Sequence, residues 1–228
     1  MTNPMRRPGG RGGAALLGAF LLLTGTGLPV LLSAGPAQAS GCGSGEPAGT
    51  SCTVTGTLSL SGGTLTMNPP TQLGWTGTLS GLDQYLVDTT TGDESYLVDD
   101  ATGSGLGWHL TASATQFTTG GGSPLTLNNS GTFSTNGSTS SATSTNKPTA
   151  ACSTGATCTS PTNNTSYPVA ITTGASPVTI YDTAASSGLG SLTIGIGANP
   201  VGWWLYLPAN TLPGTYTSTV TLELISAP

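Results

Sequence analysis

Short runs of alternating apolar and polar residues recur along the chain. Val54, Leu58 and Leu60 share a parity, as do Leu65 with Met67 and Leu73 with Trp75. Leu125 with Leu127, Val169 with Ile171, Val178 with Ile180, and Leu192-Ile194-Ile196 continue the pattern. The last run is the longest: Tyr216, Ser218, Val220, Leu222 and Leu224 fall on one side and Thr217, Thr219, Thr221 and Glu223 on the other. A period of two is the signature of a strand with one face buried. Gly, Pro and Asn fill the gaps, and no long stripe at helical spacing occurs. The pattern predicts an all-β chain: a β-sandwich, or a barrel-like variant, of many short and mainly antiparallel strands with long Ser/Thr/Gly-rich loops.

One stretch stands out. Val98 to Leu110 opens with Asp99-Asp100, turns through small residues including Gly103, Gly105 and Gly107, and ends in Trp108-His109-Leu110. Glycine permits the positive φ of a tight turn. Trp108 and Leu110 then share the inward face and His109 takes the other. A second aromatic segment is Gly202-Trp203-Trp204-Leu205. Two consecutive indoles on a strand face opposite ways, so one of Trp203 and Trp204 is expected in the core, and the other is either free to stack on a glycan or packed over an edge or beneath the long loop. Tyr85 to Asp88 and Tyr96 to Asp99 repeat Tyr-Leu-Val-Asp, which reads as two strands of a hairpin.

The Gly107-Trp108-x-Leu110 segment after an Asp/Gly-rich turn resembles the WxL domain family of Gram-positive surface proteins. The distal part agrees at Gly214-Thr215-Tyr216, Thr221-Leu222-Glu223-Leu224 and the closing Pro228. Leu222 stands where the family usually carries its second Trp. The resemblance covers 56–228. It implies Gly107, Trp108, Leu110, Tyr216, Leu222, Leu224 and Pro228 as the structural motif. It also implies non-covalent attachment to peptidoglycan and assembly with other surface proteins.

The first 39 residues read as a signal peptide. Arg6, Arg7 and Arg11 precede an apolar run, and Ala37-Gln38-Ala39 is a small-x-small cleavage site ahead of Ser40. Arg6-Arg7 hints at twin-arginine export, but Pro8-Gly9-Gly10 follows, which favours the general secretory route. Residues 40–55 form a Cys-containing segment before the β domain. Cleavage leaves Lys147 as the one basic residue against nine carboxylates. That excludes nucleic-acid binding, and excludes charge-driven binding to anionic lipids or wall polymers. No membrane span remains after cleavage. Leu212-Pro213-Gly214-Thr215 begins like a sortase signal, but Tyr216 follows and no apolar tail does.

Cys42, Cys52, Cys152 and Cys158 suit an oxidising compartment. Three pairings exist. The local one, Cys42–Cys52 with Cys152–Cys158, is favoured because short loops close most easily. Their spacing does not suit a zinc site. Residues 131–166 are low-complexity Ser/Thr/Asn/Gly with hardly an apolar side chain, and are expected to form an excursion or loop outside the core. The sequons at Asn128, Asn136, Asn163 and Asn164 are ascribed to composition.

Catalysis finds little support. His109 is the sole histidine and is expected as an exposed strand residue. No Gly-x-Ser-x-Gly elbow occurs, and Asp99 and Asp100 would point to opposite faces. No cofactor is expected, with one exception. Acidic residues concentrate between Asp83 and Asp100, and Asp88, Asp93, Asp99 and Asp100 are candidate calcium ligands. The bland alternative is a solvated acidic hairpin, and the EF-hand pattern is missing. The reading that follows is a secreted, non-catalytic protein held to the cell wall through peptidoglycan. Its alternative is a structural or adhesion module that binds partner surface proteins by adding strands to sheet edges.

Overall fold

The computed structural model describes residues 45, 47–49, 51–52, 55–123, 125–127 and 133–226. The signal peptide, Ser40, Cys42, Val54, Asn128 and Pro228 lie outside them. The chain divides into Met1–Leu58 and Ser59–Pro228. The described residues of the first unit carry no strand.

The second unit is all-β, and none of its described residues is helical. Its described residues form thirteen strands, β1 (Leu65–Asn68), β2 (Gln84–Val87), β3 (Tyr96–Asp100), β4 (Trp108–Ala114), β5 (Thr118–Thr119), β6 (Phe133–Asn136), β7 (Ala150–Cys152), β8 (Val169–Ile171), β9 (Val178–Asp182), β10 (Gly190–Ile194), β11 (Gly202–Leu207), β12 (Tyr216–Thr217) and β13 (Val220–Ser226). They form ladders in the orders β1-β3-β10-β7, β2-β11-β6-β8, β13-β4-β9 and β12-β5. Every pairing is antiparallel. The fold is sandwich-like, as the period-two pattern predicts.

The three-stranded ladder carries the two segments that sequence singled out. Trp108 pairs with Ser226, Leu110 with Leu224 and Ala112 with Leu222. Trp108, Leu110 and Ala112 are fully buried, and Leu222 and Leu224 pack on the same core. The outward residues Thr221 and Glu223 are exposed. The Trp108 indole stacks on Tyr181 at 5.6 Å and 18°. Its Nε1 donates to the Gly188 carbonyl at 3.0 Å. Its backbone N–H donates to Thr183 Oγ1 at 2.7 Å, and that hydroxyl donates back to the Trp108 carbonyl at 2.8 Å. Gly107 has φ +85°, and a Cβ there would lie 2.7 Å from the Thr183 carbonyl. The turn into β4 therefore requires glycine on two counts. His109 is half-buried, not exposed, opposite Asp182.

Three expectations are corrected. The Tyr-Leu-Val-Asp pair does not form a hairpin: β2 pairs with β11, while β3 pairs with β1 and β10. The link between them instead bonds to the β11 region, Asp88 N–H to Trp203 O and Val201 N–H to Glu94 O. Leu58 and Leu60, at 79% and 83% exposed, belong to no strand. Leu73, Trp75, Leu125 and Leu127 also lie outside strands, and Ile196 lies beyond the end of β10.

The third correction is the largest. Within the low-complexity segment, β6 is buried along its whole length, and β7 pairs with β10. Composition misleads because hydrogen bonds replace apolar contacts here. Asn136 is wholly buried; its Nδ2 donates to the carbonyls of Ser141 and Ala142 at 3.0 and 3.1 Å, and its Oδ1 accepts Ser138 N–H at 2.9 Å. A fully bonded amide can be buried at little net cost. Cys152 and Cys158 are joined by a disulfide, as the local pairing expects. Cys52 is also disulfide-bonded.

Truncating Trp108→Ala should cost about 3–5 kcal/mol, the range for deleting a large buried aromatic. Trp108→Phe keeps most of the volume but orphans the Gly188 carbonyl, and should cost a smaller amount, about 1–3 kcal/mol. Urea unfolding midpoints at unchanged slope measure both. Equal stability of Trp108→Ala and wild type would contradict the packing described.

Candidate functional site

Strand alternation divides β2 and β11 between two surfaces. Leu86, Leu205 and Leu207 point to one side, where they floor an open groove of about 870 Å³ with Phe117 and Leu127. The chain before β2, Leu73 to Leu79, forms one wall, and the chain from Thr211 to Ser218 forms the other. Besides the buried Phe117, the groove's aromatics are Trp75 and Tyr216, both half-buried. Leu79 and Leu212 stand at its mouth, 40% and 55% exposed. Thr76, Thr78, Thr211, Thr215, Thr217 and Ser218 also line it, and no charged side chain does. A largely apolar pocket with a few convergent polar groups is the usual form of a ligand site.

Each wall is fixed. Trp75 meets Phe117 and Phe133 edge-on at 5.7 and 5.5 Å, and its Nε1 donates to the Trp203 carbonyl at 3.0 Å. On the other side, Thr211 Oγ1 donates to Pro208 O at 2.7 Å and Tyr216 Oη donates to Leu212 O at 3.0 Å. The sortase-like Leu-Pro-Gly-Thr sequence is therefore part of the groove's rim.

Two buried carboxyls anchor the Leu73 wall from below. Asp88, 2% exposed, accepts Gly74 N–H at 3.0 Å and Thr90 N–H at 2.9 Å. Asp93, 5% exposed, accepts the Gln72 N–H and lies within hydrogen-bond reach of Asp88. Its Oδ2 has no partner. Burial, then the neighbouring Asp88 charge, push the Asp93 carboxyl above the ordinary value. Of the four calcium candidates only Asp88 and Asp93 come together. Asp99 and Asp100 stand opposite Thr66 and Leu65 on β1, and Asp100 Oδ1 is engaged by Thr102 N–H and Oγ1 at 3.0 and 2.6 Å. Two carboxyls offer at most four oxygens where calcium takes about six to eight. Among the described residues no group of three acidic, Cys or His side chains could hold a metal.

Of the two alternatives for the indoles the buried one holds, with Trp203 at 1% and Trp204 at 6% exposed. Trp203 stacks on Phe133 at 5.9 Å and donates to the Asp93 carbonyl. Trp204 does face the other way, but the chain after β6 covers it, and its Nε1 donates to the Ser138 carbonyl at 2.9 Å. A Cβ on Gly202 would stand 1.8 Å from that carbonyl, so glycine lets the cover close. Neither indole is free to stack on a glycan. Sequence reasoning placed Tyr216 in the structural motif and missed Leu79, Phe117 and Leu212 as groove residues. Their one sequence signal is apolar side chains standing singly among Thr, Ser and Gly, which no periodicity reveals.

Asp93 has a folded pKa above its unfolded one. Its contribution to stability is thus fully present below the ordinary carboxylate pKa and is lost as pH rises through the raised value. Asp93→Asn mimics the protonated form. Its melting temperature should match wild type near pH 4 and exceed it near about pH 7. A variant less stable than wild type by the same margin at both pH values would refute the raised Asp93 pKa.

No family model matches the chain, and neither a curated protein nor a solved structure matches it.

Proposed function

We propose that this is an exported, non-catalytic module held to the Gram-positive cell wall without a covalent link, its groove taking a neutral stretch of peptidoglycan glycan. The groove's chemistry carries the reading. Pyranose rings present C–H faces to apolar and aromatic surface, here Trp75, Tyr216 and the leucine floor, and present hydroxyls to polar rims, here threonines and a serine. A charged ligand would meet no counter-charge in the lining. The likeness of the Gly107–Leu110 and Tyr216–Leu224 segments to the WxL family supports the same assignment. The stacking surface moves from Trp203 and Trp204 to Trp75 and Tyr216. No cofactor enters this reading.

The alternative, a structural or adhesion module that adds a partner's strand, is favoured by β2 and β7 being terminal strands of their ladders. At four and three residues they offer short edges for pairing.

Purified peptidoglycan sacculi should co-sediment with the protein. Leu79→Glu and Leu212→Glu put a charge at the groove mouth on exposed positions, so folding is spared and binding should fall roughly tenfold. Absence of co-sedimentation at both low and moderate salt would sink the wall reading. A stoichiometric complex with another surface protein on size exclusion, without glycan affinity, would favour the alternative.

A further inference from the structure

The opposite face of the β2–β11 ladder carries a separate cluster. Tyr85 and Tyr206 are register partners and point away from Leu86 and Leu205. Their ring centroids are 5.3 Å apart and their planes tilt by 56°, which makes an open V. Tyr85 is 48% exposed, in a fold where Tyr96, Tyr181, Trp108 and Trp203 are all buried. Asp83 lies two residues before Tyr85, on the same side. Ala209 N–H donates to its Oδ1 at 2.9 Å, and the Tyr206 hydroxyl donates to the same carboxylate. Those bonds hold the Asp83 pKa below the ordinary carboxylate value, and the bond to Asp83 pushes the Tyr206 phenol up. The carboxylate is therefore ionised at neutral pH and fixed in place.

Its charge is not matched from within. Lys147 is the one Lys or Arg among the described residues, and its ammonium bonds to the Asn163 carbonyl. Aromatic faces and a carboxylate both favour positive charge. An anion would be repelled here, and the acidic excess of the whole fold steers cations toward the surface. β2 is the outer strand of its ladder. We propose that Tyr85, Tyr206 and Asp83 receive a basic side chain, a Lys ammonium or Arg guanidinium, from a partner polypeptide. The cation stands against the ring faces, and its N–H groups are taken by the lone pairs of Asp83 that Ala209 and Tyr206 leave unused. This surface is distinct from the groove and does not depend on the groove's ligand.

The test titrates the protein with a synthetic peptide of alternating Lys and Gly while following the Tyr85 and Tyr206 ring resonances by NMR. Asp83→Asn and Tyr85→Ala should each weaken binding roughly fivefold or more. Glu223→Gln removes the same charge from an exposed site on β13 and should change it by less than about twofold. Tyr206→Phe keeps the ring and frees Asp83, and should give an intermediate loss. All four variants should retain the wild-type melting profile. Equal losses for Asp83→Asn and Glu223→Gln would mean diffuse attraction to an acidic surface and would overturn the proposal. So would ring shifts produced by a neutral oligosaccharide and not by the peptide.

Discussion

Lys147 is the one Lys or Arg among the described residues, so buried carboxylates have almost no cation to pair with, and this constraint shapes the interior. Most buried polar groups are satisfied by backbone and hydroxyl groups instead, Asp93 Oδ2 being an exception. Trp108 shows the result most fully: its indole, amide and carbonyl are all bonded, to Gly188 and Thr183, while its ring lies on Tyr181. Moving β13 by one residue would turn Leu222 and Leu224 outward and Glu223 inward, and Glu223 would find no cation to meet it.

The same constraint explains the chemistry around β11. Asp88 and Asp93 are buried without a cation, so they are met by the N–H groups of Gln72, Gly74 and Thr90. Those donors belong to the groove wall and to the turn after β2. The carboxyl pair is thereby a clamp on the wall. On the far side of β11, Asn136 and Ser138 close over Trp204 through hydrogen bonds. Hydroxyl and amide groups here do what aliphatic side chains do in a more hydrophobic fold, at similar net free energy once each group is paired.

The two faces of the β2–β11 ladder follow from strand alternation alone, yet they differ in chemistry. The Leu86, Leu205 and Leu207 side is neutral and apolar, with hydroxyls only at the rim. The Tyr85 and Tyr206 side carries a fixed negative charge at Asp83. One ladder can therefore serve an uncharged ligand on one face and a cationic group on the other.

Much of the fold was legible in the residues. Period-two alternation identified β1, β8, β9, β10 and β13; the glycine turn and Trp108-x-Leu110 identified the buried strand; and local spacing identified the Cys152–Cys158 bond. These depend on short-range geometry, which sequence encodes directly. Tertiary structure decided which strands pair, so that the two Tyr-Leu-Val-Asp segments separate into different ladders. It also decided the exposure of Trp204, because alternation fixes the direction in which a side chain points but not what lies above it. A polar loop can cover an indole only when its own amides and carbonyls find partners, and the positions of those partners are set by residues distant in the chain.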